Sequence, residues 1–168
     1  MSEEPPADVT IERADSEETD ALAELWVELA DEQRRYGSHL CPEANRSAIH
    51  ETILQHVMTD TALLARRDGD IVGFVTFDIE PERYRQDVTR GIIQNVYVHE
   101  GHRSEGIGRG LLSAAETALE KRDVDVVALQ AMAENDRAIR FYRRHGYEPH
   151  RIELEKPINS DTLKSNDG

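Results

Sequence analysis

Cysteine is nearly absent from this chain. Cys41 is the single one in 168 residues, so no internal disulfide can form, which fits a reducing compartment and a cytoplasmic location. No apolar run approaches the ~20 residues that span a bilayer. The opening Met1-Ser2-Glu3-Glu4-Pro5-Pro6 is neither basic nor apolar, so no secretory signal is expected. Lysine is confined to Lys121, Lys156 and Lys164, and every other cation is arginine. There is no internal repeat and no linker between two cores.

Acid is what the chain has in excess. Asp and Glu number 34 against 20 Lys and Arg, a formal charge of −14. Such a surface repels nucleic-acid backbones and anionic membranes, so neither is an expected partner. Acid excess with little lysine also suits a protein kept soluble in high salt, a halophile-like surface whose self-repulsion counterions screen. With 38% hydrophobic residues the composition is that of a globular protein. One domain over residues 9–154 is expected, between polar tails at 1–8 and 155–168.

Hydrophobic spacing gives the element order. Val9–Arg13 reads as a short strand. Asp15 or Ser16 caps a helix carrying Leu22, Leu25, Trp26 and Leu29 at helical spacing, and the stretch Tyr36–Pro42 breaks it. Ile49, Ile53, Val57 and Met58 mark a second helix. Thr61–Arg66 and Ile71–Ile79 are strand-like and flank Asp68-Gly69, a strong hairpin signal. Gly91–Val98 is a further strand, followed by a glycine-rich turn and a helix from about Ile107 to Lys121. Val124–Ala131 reads as a strand, Asn135 to His145 as a helix stopped by Gly146, and His150–Leu154 as a closing strand. The order β-α-α-β-β-β-α-β-α-β implies a mixed α/β (α+β) fold, a mixed sheet with helices packed on it.

The chemistry concentrates at the turn after Val98. Gly106, Gly108 and Gly110 let backbone N–H groups approach a ligand without Cβ obstruction, and the following helix adds unpaired donors and a partial positive charge. That geometry suits phosphate or pyrophosphate. Arg103 and Arg109 flank it. A P-loop is excluded because no Gly-Lys pair exists. A dinucleotide fingerprint fails because position 111 is Leu where a third glycine is needed.

Val96-Tyr97-Val98 followed by Arg103-x-x-Gly106-x-Gly108 resembles the acetyl-CoA motif of the GCN5-related N-acetyltransferases (GNAT). Asn135-x-x-Ala138-Ile139-x-Phe141-Tyr142-x-x-x-Gly146-Tyr147 resembles that family's second signature. The resemblance covers roughly residues 9–154, most strongly 91–147. It implies a largely antiparallel central sheet with helices on both faces and acetyl transfer from acetyl-CoA to a primary amine of a small molecule or peptide. It further implies that the strand at Val98 splays from the one at Val124–Ala131. The pantetheine arm then pairs with the strand Val96-Tyr97-Val98, through the backbone of Val96 and Val98. The pyrophosphate lies on the N–H groups of Ser104, Glu105, Gly106, Ile107, Gly108 and Arg109. The Glu105 side chain is expected to point to solvent while its backbone donates.

Tyr142 is the implied proton donor to the leaving thiolate; the alternative is a core aromatic beside Phe141. Asn135 can cap its helix or contact the cofactor arm. The general base stays unassigned: Gln94 and Asn95 stand where family members often carry a carboxylate, with Glu80, Glu134 or water as alternatives. Glu32, Arg35, Tyr36 and His39 are candidate acceptor contacts. His99-x-x-His102 has only glutamates beside it, so no metal is expected. The family often pairs, which implies a homodimer. A second reading is a catalytically weak CoA-binding sensor of the same fold.

Overall fold

The computed structural model describes residues 4–159. The chain divides after Asp136 into two compact units. In the first, β1 (Val9–Arg13) leads to α1 (Thr19–Arg34), α2 (Arg46–Met58), β2 (Ala62–Arg67), β3 (Asp70–Ile79), β4 (Arg90–Val98), α3 (Ile107–Glu120) and β5 (Val126–Leu129). The second carries α4 (Asp136–Arg144), apart from its first residue. No described helix is long and apolar enough to cross a membrane.

The strands lie in the order β1-β2-β3-β4-β5. The first four pair antiparallel, and β5 joins parallel to β4. Asp68 and Gly69 both take positive φ (51° and 83°), which closes the β2–β3 hairpin with the twist that flanking strands favour. Asp15 opens the first helical segment through a capping box with Glu18.

Helices cover both faces of the sheet. Leu22, Leu25 and Leu29 of α1 and Ile53 of α2 cluster with Leu64, Phe74 and Tyr97. The opposite face belongs to α3. A Cβ on Gly73 would stand 3.1 Å from Leu111 and 2.7 Å from the Tyr97 carbonyl, and one on Gly91 would stand 2.9 Å from Leu119. Gly73 and Phe74 are neighbours on opposite faces, as strand alternation requires. Trp26 packs against the α1–α2 core.

One expected element is missing. Residues 150–154 form no strand, and Ile152 and Leu154 are exposed. An alternating run becomes a strand only where an edge offers it backbone partners, and Pro149 removes a donor at its entry. The expected tails lie partly outside the described residues.

Candidate functional site

The site begins with a strand that loses one neighbour halfway along. β4 pairs with β3 from Ile79↔Gly91 to Gly73↔Val98, but an irregularity beside Thr76 and Phe77 leaves Gln94 without a counterpart. With β5 it pairs only from Arg90↔Val126 to Ile93↔Leu129. The parallel pairing therefore stops one residue before the bulge, and residues 94–98 keep β3 alone. His99 N–H donates to the Val72 carbonyl at 2.8 Å, on the β3 side. By alternation the peptide groups of Val98 and Val96 face the side β5 has left. Backbone groups on such an edge need partners. The Val98 carbonyl has one in Arg103 Nε at 2.8 Å.

The loop after β4 then turns into a helix with open donors. Ser104 and Gly106 both hold left-handed φ, 65° and 90°. The first helical bond of α3 runs from Gly110 N–H to the Gly106 carbonyl at 3.0 Å. The N–H groups of residues 106–109 therefore precede the helical ladder, and Gly106 has no side chain to cap them. No acid occupies the first turn. Arg109 Nε is buried without a hydrogen-bond partner. Its Nη2 would stand 3.5 Å from a Cβ on Gly106, so the glycine keeps the space between loop and guanidinium.

The remaining charges are committed elsewhere. Arg103 holds Glu32 with Nη1–Oε1 at 2.7 Å and Nη2–Oε2 at 3.0 Å, and stands 5.3 Å over the Tyr97 ring. The bond to Glu32 raises its already high pKa. The Glu105 carboxylate, expected in solvent, instead meets Arg67 Nη1 at 3.0 Å and is half-exposed. Tyr97 lends its ring to the core and donates from Oη to Glu28 at 3.2 Å. Burial first, then Glu28 and Glu32, push its phenol up to about 12, so it stays protonated. Glu28 also meets His99 Nδ1 at 3.0 Å.

Glu28 and His99 line a groove of about 600 Å³ with His102, Arg66, Asp70 and Ile71. Among the described residues no group of three or more His, Cys, Asp or Glu is placed to hold a metal.

The base candidates divide. Glu80 is tied to Arg90 at 2.8 Å and Gln86 at 2.7 Å. Asn95 donates to Thr76 Oγ1 at 2.9 Å, and Gln94 is exposed at the bulge. His56, which the sequence did not single out, is buried and meets Thr61 Oγ1 through Nδ1 at 2.7 Å. Burial lowers its pKa, against the opposing pull of Asp78, Gln94 and the Phe77 backbone.

The second unit carries Tyr142 on α4. Tyr147 N–H reaches the Tyr142 carbonyl at 3.1 Å and Gly146 N–H the Arg143 carbonyl at 3.1 Å, with Gly146 at φ 92°. That is the Schellman arrangement, and it confirms the glycine stop read from sequence. Tyr142 makes edge contacts with Phe141 (5.4 Å) and Tyr147 (5.9 Å), and burial raises its phenol pKa above the usual 10. Asn135 stands just before α4, its N–H on the Met132 carbonyl at 2.9 Å.

A split parallel pair beside an uncapped helix mouth defines the fold class of the acyl-CoA N-acyltransferases. The chain belongs to the acetyltransferase (GNAT) family, whose profile matches residues 20–147. No curated relative matches it. Among solved structures, a GCN5-related N-acetyltransferase from Ralstonia eutropha JMP134 is 22% identical, with TM-score 0.69, covering 89% of this chain and 98% of that one. A transcriptional regulator from Bacillus halodurans C-125 is 18% identical, with TM-score 0.68, covering 89% and 99%. An aminoglycoside N-acetyltransferase in complex with CoA is 14% identical, with TM-score 0.68, covering 90% and 95%. At these identities the likeness is one of fold, and family membership makes acyl transfer the class of chemistry.

Proposed function

We propose that the chain is an N-acetyltransferase that carries an acetyl group from acetyl-CoA to a primary amine, by direct attack within one ternary complex. The acetyltransferase domain is read as residues 9–154 in a cytoplasmic protein. The observation that supports it best is the mouth of α3. Four backbone donors precede the helical ladder there, beside a buried Arg109 Nε that lacks a partner. Donors and cation in that arrangement fit a diphosphate.

When bound, the cofactor supplies the acetyl group as a thioester. The chain's own contributions then follow from its residues. The amides of residues 104–109 hold the diphosphate. Val96, on the open edge of β4, offers its peptide group to the amide-bearing arm, while Arg103 occupies the Val98 carbonyl and braces the loop against α1. Tyr142, kept protonated by its raised pKa, gives the proton from Oη to the departing sulfur. The incoming amine attacks in its neutral form and loses a proton as the amide forms. Neither Gln94 nor Asn95 can accept that proton near neutral pH, which leaves Glu80, Glu134 or water to take it.

Two measurements test the reading. Titrating coenzyme A into the protein by calorimetry should give saturable heat. Release of coenzyme A over a panel of small amines, polyamines and peptides should show turnover. Binding without turnover on any amine would select the sensor reading instead.

A further inference from the structure

We infer that Arg67 is a positioning residue for the diphosphate loop: it draws the Glu105 carboxylate away from the amides at the mouth of α3. The inference rests on the proposed CoA site. Glu105 lies between two left-handed residues, Ser104 and Gly106, directly before the first turn of α3. A carboxylate in that place has its own attraction to the helix N-terminus. Open N–H donors and the positive end of the macrodipole are what acidic side chains seek at helix starts. Left alone, Glu105 would fold back on those amides and compete with any anionic ligand for them.

Arg67 prevents this. It is the last residue of β2, held in register by pairing with Val9 on one side and Asp70 on the other. Its side chain is only 13% exposed. From that fixed base Nη1 reaches Glu105 Oε2 at 3.0 Å and Nη2 reaches Oε1 at 3.5 Å. The rest of the fork is also held. Nη2 donates to Asp8 Oδ1 at 3.2 Å, and Nη1 stands 3.1 Å from His102 Nδ1. Nε lies 2.9 Å from Asp8 Oδ2, a charge contact without hydrogen-bond alignment. Asp8 and His102 thus fix the guanidinium from two further directions, and only Glu105 belongs to the loop that offers amides.

The test is a coupled pair of variants, read by calorimetric titration with coenzyme A at one fixed salt concentration. Arg67→Met should raise Kd about tenfold, by freeing the carboxylate and removing a cation. Arg67→Met combined with Glu105→Gln should recover to within about threefold of the unaltered chain, because the neutral amide no longer competes. An unchanged Kd in Arg67→Met overturns the inference, and so does a double variant that stays as weak as the single one, since a merely structural loss would not be rescued. If Arg67→Met fails to fold, Arg67→Lys retains the charge but loses the fork. A weakening that Glu105→Gln then removes supports the inference, and no weakening overturns it. No heat with the unaltered chain would instead remove the CoA site itself, a result distinguishable from failure of the Arg67 role.

Discussion

Arg103 and Glu32 lie 71 positions apart and meet through two parallel bonds of 2.7 and 3.0 Å. The arginine of the glycine-rich motif thus turns inward to α1, with its Nε on the strand carbonyl that precedes the loop. Both side chains are about three-quarters buried. Breaking one partner of such a charged pair costs roughly 2 kcal/mol. Arg103→Met should therefore lower the melting temperature by about 4–8 °C in a thermal unfolding scan. A shift under 1 °C would remove the bracing role.

Gly106 holds φ 90° at the mouth of α3. An alanine there takes on left-handed strain of roughly 1–2 kcal/mol and brings a Cβ toward Arg109. Gly106→Ala should lose that much stability in urea unfolding. Gly106→Val should lose at least tenfold in coenzyme A affinity, and retained affinity would count against the cradle.

Tyr142 is proposed as the general acid. Tyr142→Phe should bind coenzyme A within about threefold of the unaltered chain and lose roughly 10²–10⁴ in kcat. Because burial raises its pKa above 10, the acid stays protonated through the neutral range. The alkaline fall of kcat that it causes should therefore lie above pH 10, and a limb at pH 8 would belong to another group.

His56 gives a pH dependence of opposite origin. Its folded pKa lies below the ordinary 6.5, so the unfolded chain binds the proton more readily. Stability from this group is present above pH 6.5 and is lost as pH falls through the folded value. Between pH 7 and 5 the unaltered chain should lose more stability than His56→Gln. Parallel curves for the two proteins would show that His56 does not titrate differently on unfolding.

With a formal charge of −14, self-repulsion opposes the folded state at low ionic strength. Melting temperature should rise between 0.1 M and 2 M KCl. Equal values would remove the argument for a salt-adapted surface.

Local signals were legible in the sequence. Asp68-Gly69 marked the hairpin, Gly106 marked the loop, and Gly146 marked the end of α4, because each sits at a positive φ that few residues adopt. The alternation at 150–154 misled for the same reason in reverse: a strand is a property of a pair, and local pattern supplies only one member. Arg67–Glu105, Arg103–Glu32 and His99–Glu28 were beyond reach, since residues 38 to 71 positions apart share no periodicity. The bulge at Gln94 likewise follows from the register of β3 against β4. Tyr142 was legible only through the resemblance, which named it without fixing its surroundings.

Gly73 sets a height. With no side chain at that point on β3, Leu111 of α3 settles almost onto the strand, against a backbone that leaves no room for even a methyl group. An alanine in its place would put its Cβ 2.7 Å from the Tyr97 carbonyl of the neighbouring strand and 3.1 Å from Leu111, so β4 and the packed leucine would both have to give way. The seating of α3 on the sheet thus depends on a position more than thirty residues upstream of its first turn.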